Sequence, residues 1–567
     1  MKTIVVIIFE FVLFGYCNQL FSQPIGPSSS SAWHLQDKQS DGVYGISLEK
    51  AYNELLNGLQ PKKKIIVAVI DSGVDTLHED LKSVLWINKS EIPKNGIDDD
   101  KNGYIDDYYG WNFIGGKDGQ NVSKDSYEGA RVYFKYKSEF GDSDINLTTL
   151  SYEKKESYKS YKKAQLLLES QAKEAALYVL ILKDLVSKIP GADSIIQTAM
   201  GKTEYTGDEL QIFKSTDPVV NKAKSVVLGF FQQTTEMTNT NSFLISELIR
   251  FYNSEQSKVE AIEQKPKSYR DDIVKDNYSD LNDRFYGNSD VMGPESSHGT
   301  HVAGIIGADR KNAVGIKGIA DHVEIMTLRA VPDGDEHDKD IANAIRYAVD
   351  HGAWVINMSF GKSFSPEKHW VDEAVQYAES KQVLLVHAAG NDAKNIDIED
   401  NYPSSNLNND TTKVFSNWIT VGASGSTGEE LIASFSNFGK REVHVFAPGV
   451  QINSTIPGGN KYGDKDGTSM ASPMVAGLAS LILSYYPTLS AVQVKKIIEG
   501  SVIKIPMEPL AKDSAAEGMD NLQDLSVTGG IINAYNALKL ASAMKGDRVL
   551  INNKTTPAKK VVKKTSK

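Results

Sequence analysis

Apolar residues in this chain gather in short unbroken runs separated by longer amphipathic stretches. Residues 65–70 (IIVAVI) are apolar on both faces, and similar runs recur at 354–358 (WVINM), 383–388 (VLLVHA) and 418–423 (WITVGA). A strand with no polar face predicts a parallel sheet covered on both sides. Helical patterns alternate with these runs, at 301–307, 340–351, 365–380 and 474–485. The alternation predicts an α/β domain with a mostly parallel central sheet flanked by helices. In such sheets, sites form beyond the carboxyl ends of the strands. Asp71, Ser359 and Asn391 each stand just after a predicted strand. A short helix is expected over 48–57, closed by Gly58.

Residues 85–284 break the rhythm. The stretch 86–116 is rich in Asp, Asn and Gly and reads as loop. From 126 to 268 the chain is rich in Lys, Glu, Gln and Leu, with hardly any strand signal. Leu168, Ala172, Ala175, Val179, Leu182 and Val186 are spaced three and four apart, which makes an apolar helical seam. Pro190-Gly191 is expected to end that helix, and a second helical stretch at 243–262 is placed to pack against it. The plain reading is a mainly α-helical hairpin that buries its own seam. The functional alternative is an exosite or lid that contacts substrate or a partner protein. The expected division is an export signal over 1–23, one discontinuous domain over 24–84 and 285–545, an acidic segment over 85–125, the helical insertion over 126–268, and a lysine-rich tail over 546–567.

Composition narrows the class. The chain has 567 residues, 40% of them hydrophobic and 24% charged, enough to bury a sizeable core. A net charge of −11 argues against a nucleic-acid role. Lys2 followed by a short apolar run over 4–16 reads as an export signal, with no transmembrane span expected once it is removed. An uncleaved anchor and lipidation at Cys17 are the alternatives. Cys17 is the one cysteine, so an exported mature form would hold no disulfide and would need another brace, such as bound metal ions.

Three short motifs carry chemistry. Gly467-Thr468-Ser469-Met470-Ala471-Ser472-Pro473 precedes a helical run, and a serine there benefits from free N–H groups and the positive end of the helix dipole. His298-Gly299-Thr300-His301-Val302-Ala303-Gly304 also opens a predicted helix. His298 and His301 could suggest a metal pair, but three-residue spacing alone is weak and no H-E-x-x-H pattern is present. Asp71-Ser72-Gly73 follows a buried strand, where a carboxylate can orient an imidazole. The order Asp, His, Ser is one of the known orders for a hydrolytic triad.

Together these motifs closely resemble the subtilase family of serine peptidases, over about 40–84 and 285–545. The resemblance implies a subtilisin-like three-layer fold and an exported endopeptidase, secreted, periplasmic or at the cell surface, acting on polypeptides without an organic cofactor. Asp71, His298 and Ser469 would form the triad, and Asn391, in Ala388-Ala389-Gly390-Asn391, the second oxyanion donor beside the Ser469 N–H. Ser359, Phe360 and Gly361 match the strand that pairs with substrate. Ala389, Gly390 and Thr468 would border the bound peptide, and Asn401-Tyr402-Pro403 would floor the S1 pocket. The family's compact members keep the Asp and His motifs close together. Here they stand 227 residues apart, so the insertion falls between them. The stretch from Gln23 to Asp71 is too short for a full foldase propeptide.

Residues 98–106 (DDDKNGYID) repeat oxygen ligands at spacing two. Asp98, Asp100, Asn102, the Tyr104 carbonyl and Asp106 would occupy positions 1, 3, 5, 7 and 9 of a calcium loop, with Gly103 at 6. Position 12 falls on Tyr109, where an EF-hand has Glu, so Asp107 or an upstream residue must complete the shell. A solvated acidic turn is the alternative. Two rival functions stay open: a subtilase fold used only for binding, and a narrow processing peptidase with the insertion as exosite.

Overall fold

The structure is a computed structural model and describes residues 32–141, 145–234, 237, 239–427, 431–505 and 521–549. The expected export signal and all but the first residues of the lysine-rich tail lie outside them. Among the described residues the central sheet has nine strands. They are β1 (Ile65–Asp71), β2 (Gly110–Asn112), β3 (Val323–Arg329), β4 (Val355–Met358), β5 (Leu384–Ala388), β6 (Trp418–Ser424), β7 (Val445–Pro448), β10 (Ile503–Lys504) and β11 (Gly530–Ile531). Their order is β10-β11-β7-β6-β5-β4-β1-β3-β2, and only the β10–β11 pairing is antiparallel. A separate hairpin joins β8 (Ile452–Ile456) to β9 (Lys461–Lys465).

Helices of ten residues or more are α1 (Glu128–Phe140), α2 (Tyr152–Met200), α3 (Pro218–Thr234), α4 (Asn241–Glu260), α5 (Ser297–Gly307), α6 (Asp338–Asp350), α7 (Lys368–Ser380), α8 (Thr468–Tyr485), α9 (Ala491–Gly500) and α10 (Ala534–Ala543). The apolar runs become strands because both faces are needed. Ile65, Val67 and Val69 of β1 enter one core with α5 and α8, while Ala68 and Ile70 enter the other with α6 and α7. The same alternation splits Leu384 and Val386 from Leu385 in β5. The result is the expected three-layer sandwich. α8 is long and apolar enough to cross a membrane, yet 94% of it is buried inside the protein, so its all-round apolarity belongs to a core helix.

The acidic segment is not a separate unit. Trp86, Tyr104, Trp111, Phe113, Ile114 and Val122 pack in one core with Met326 and Leu328 of β3, and β2 extends the sheet edge. The insertion is helical, as expected, but Pro190-Gly191 does not end its first long helix. α2 runs 49 residues with Pro190 inside it. A mid-helix proline costs about 3 kcal/mol. Here the apolar seam continues past it, with Ile189 and Ile196 both fully buried against α3 and α4, and that burial offsets the loss. This far end of the insertion forms a core entirely its own. Its near end shares a core with Phe364, in the segment after β4 of the three-layer sandwich.

Candidate active site

Five chain segments converge beyond the carboxyl ends of β1, β4 and β5. Asp71 is the last residue of β1 and its side chain is almost fully buried. Its Oδ1 accepts the Ser72 N–H at 2.7 Å and the Nδ1–H of His298 at 2.8 Å. Because Nδ1 donates to a carboxylate, the neutral ring leaves Nε2 as a lone-pair acceptor. His298 lies in the first turn of α5 and is half-buried. Gly299 makes this approach possible, since a Cβ there would fall 2.2 Å from the Gly73 carbonyl and 3.1 Å from the Asp71 Cβ.

His301, the competing histidine, is fully buried. Its Nε2 donates to the carbonyls of Ile452 and Gly463 at 2.9 and 3.0 Å, and burial holds its pKa down at about 3. It is a neutral tie between α5 and the β8–β9 hairpin, and the sequence suggestion of a metal pair finds no support in that arrangement.

Ser469 sits in the first turn of α8, after Gly467, whose φ of +146° suits glycine. The Ser469 hydroxyl donates to the Ser359 carbonyl at 3.2 Å, and the Ser359 hydroxyl donates back to the Ser469 carbonyl at 2.9 Å. Asn357 and Ser472 brace this pair: Asn357 Nδ2 donates to Ser359 Oγ at 3.0 Å and Ser472 Oγ donates to Asn357 Oδ1 at 2.8 Å.

Asn391 follows β5. Its Oδ1 accepts both the backbone N–H and the hydroxyl of Thr468, each at 2.9 Å. Two donors on one atom identify that atom as the oxygen and leave the Nδ2 protons to point elsewhere. Thr468 Oγ1 in turn accepts the Gly390 N–H at 3.0 Å. Thr468 is buried and locks Asn391 and Gly390 to the start of α8. The Ala389 carbonyl is taken by Asn401 and Asn437 at 3.2 and 2.9 Å. Phe360 is half-buried, and its carbonyl accepts from His387 Nε2 at 2.8 Å, an imidazole that burial holds down at about 4. Gly361 is exposed, beside Asn401 and the Tyr402 carbonyl.

Asn357, His387, Asn437 and Ser472 were not singled out from sequence. Asn357 and His387 did carry a signal, because each is a lone polar residue inside an apolar run. A buried polar side chain in a parallel strand must be hydrogen-bonded, and here the partners are the site's own backbone and Ser359.

Residues 62–526 match the Subtilase family. The chain belongs to that family. Among relatives, the Thermophilic serine proteinase of Bacillus sp. (strain AK1) is 42% identical over 211 residues, covering 37% of this chain and 48% of that protein. Subtilisin NAT of Bacillus subtilis subsp. natto is 38% identical over 214 residues, covering 36% and 50%. The chain thus spans about half the length of the relatives it matches. Among solved structures, the prenylagaramide maturation protease PagA aligns at 26% identity over 44% of this chain and 83% of that one, with a TM-score of 0.35.

This subtilase's acidic loop differs from the ligand set expected of it. The carboxylate oxygens of Glu91, Asp98 and Asp100 lie within 4.8 Å of one another. Glu91 is buried. Its Oε1 accepts the N–H groups of Asp99 and Asp100 at 3.0 and 3.2 Å, while its Oε2 is buried with no hydrogen-bond partner. An orphaned carboxylate oxygen facing two more carboxylates fits a hard cation. Asp106, expected among the ligands, instead caps a turn: its two oxygens accept the N–H groups of Asn95 and Gly96 at 2.9 Å. Asn102 Oδ1 accepts the Tyr104 N–H at 2.7 Å, and the Tyr104 ring packs against Trp111 and Tyr347. Asp107, fully buried, accepts from Tyr347 and Asn88 and ties the loop to α6. The residue that completes the cluster is upstream, on a segment with no motif of its own.

Proposed function

We propose that this subtilase is an exported serine endopeptidase that cleaves polypeptides through Asp71, His298 and Ser469. The observation that carries the reading is that two groups are preset, one on Asp71 and one on Thr468, the residue before Ser469. His298 is held by Asp71 with Nε2 free, and Asn391 is held by Thr468 with Nδ2 free.

Rotation about the Ser469 Cα–Cβ bond turns the hydroxyl from the Ser359 carbonyl toward His298 Nε2. Oγ then attacks the scissile carbonyl as His298 takes its proton, and Asp71 stabilises the imidazolium. The oxyanion that forms accepts from Asn391 Nδ2 and the Ser469 N–H. The tetrahedral intermediate collapses, the carbon–nitrogen bond breaks, and His298 returns the proton to the leaving amine. Water, deprotonated by the same imidazole, hydrolyses the acyl-enzyme. Ser359, Phe360 and Gly361 offer backbone groups to an extended substrate, with Ala389 and Gly390 on the facing wall. Export rests on the N-terminal signal pattern.

Calcium is the metal that fits the acidic loop, held by Glu91, Asp98 and Asp100. Bound there it would offset two of the three carboxylate charges and brace a loop already fixed to α6.

Digestion of unfolded casein tests the reading. Cleavage at many internal sites, abolished by Ser469→Ala, is expected. No cleavage by the unaltered protein would contradict it. Cleavage at one or two sites alone would favour the processing peptidase.

A further inference from the structure

Lys362 directly follows the Ser359-Phe360-Gly361 edge and is buried. Its Nζ donates to Glu128 Oε2 at 3.0 Å, Asp338 Oδ1 at 2.8 Å and the Glu336 carbonyl at 2.8 Å. Glu128 is the first residue of α1, hence of the insertion, and its backbone N–H donates to Asp335 Oδ2 at 2.7 Å. One turn on, Arg131 donates to Glu128 Oε2 at 2.6 Å and to the carbonyls of Asp335 and Glu336 at 3.1 and 3.2 Å.

These bonds join three parts of the chain. The insertion meets the segment after β4 and the loop that leads from β3 into α6. β1 lies between β3 and β4 and ends at Asp71, so those two segments form the walls of the crevice above it. A second contact grips the same region. Lys163 of α2 donates to the Ser363 carbonyl at 3.3 Å and pairs with Asp400, next to Asn401-Tyr402-Pro403. Gly129 abuts Phe364, which a Cβ would approach to 3.2 Å.

A buried ion network adds little net stability compared with apolar packing, but it fixes geometry tightly. This one bonds to backbone carbonyls on one wall and, through Lys362, to the other. We propose that α1 is a built-in part of the substrate groove, and that Glu128 and Arg131 are positioning residues. They set the spacing of the two walls for substrates with several residues on the acyl side of the scissile bond. The proposal rests on the reading above that residues 359–361 pair with substrate.

The test uses the full chain and two substrates, an N-acetylated single-residue ester and a tetrapeptide amide ending in the same residue. The ester reaches only the S1 region, while the tetrapeptide spans the groove. In Glu128→Gln and in Arg131→Gln, the ratio of kcat/KM for tetrapeptide over ester is expected to fall at least about tenfold, with the change in KM. Glu128→Asp, which keeps the charge, is expected to restore at least half of the ratio. Should Glu128→Gln fail to fold, Arg131→Gln, which loses the guanidinium charge and fork but leaves Glu128 paired with Lys362, carries the same comparison. A ratio within twofold of the unaltered protein in the folded variants, or an equal loss on both substrates, overturns the proposal. Failure of the unaltered protein to turn over the ester is a different result, and overturns the underlying reading of the site.

Discussion

The Asp71 carboxylate and the His298 imidazole, 227 residues apart in the chain, meet at 2.8 Å through Nδ1. That bond selects the tautomer with Nε2 free. In Asp71→Asn the amide can donate to Nδ1 and favour the opposite tautomer, with the geometry kept. We expect kcat to fall by roughly 10⁴-fold at neutral pH, with KM little changed. Steady-state kinetics on a peptide amide would check this, and a loss below about tenfold would contradict it.

The Asn391 Nδ2 protons are aimed by the two bonds from Thr468 to Oδ1. Asn391→Leu should lower kcat by about 10²–10³-fold. Thr468→Val removes both hydroxyl bonds, the one to Asn391 and the one from Gly390, and keeps the backbone bond to Asn391, so its loss should be smaller, about tenfold, and again in kcat. A larger loss in Thr468→Val than in Asn391→Leu would sink this account of how the donor is held.

Glu336 sets a pH dependence of stability. Burial pushes its carboxyl up to about 8 against an ordinary 4.5, and Lys362 only partly opposes this. Between those values the folded protein holds a proton that the unfolded chain has released. Stability therefore falls as pH rises from 4.5 to 8, and the loss is complete above 8. Glu336→Gln removes the effect. The melting-temperature difference, variant minus parent, should grow from pH 5 to 8 and then level off. A difference that stays constant across that range would refute the assignment.

Glu91 has a buried carboxylate oxygen without a hydrogen-bond partner, beside Asp98 and Asp100. Calcium at that cluster predicts that a chelator lowers the melting temperature by on the order of 5 °C. In Glu91→Gln the chelator should have little effect. A parent protein indifferent to chelator and to added calcium would exclude the site.

The sheet and the residues gathered at the candidate site were legible in the sequence for a physical reason. Parallel strands buried on both faces leave near-continuous apolar runs, and Asp71, Asn391 and Ser469 sit just after them or on a helix start. The weaker strands were not legible. Val323–Arg329 carries Glu324 and Arg329, and its arginine is buried only because the carbonyls of Ser72 and Val122 and the side chain of Asn112 receive it. The path of α2 through Pro190 was missed because proline's local cost is visible in sequence, while the packing of Ile189 and Ile196 that offsets it is not. Glu91 was missed because a lone glutamate has no pattern. The Glu128–Lys362 contact joins residues 234 apart, and no spacing rule reaches that far.

The central claim is that Ser469 is a nucleophile activated by His298 and Asp71. Its most direct test is reaction of the full chain with a fluorophosphonate, read by intact mass and peptide mapping. One adduct on Ser469 is predicted, absent in Ser469→Ala and formed far more slowly in Asp71→Asn. No adduct on the unaltered protein, or labelling that survives Ser469→Ala, would contradict the account.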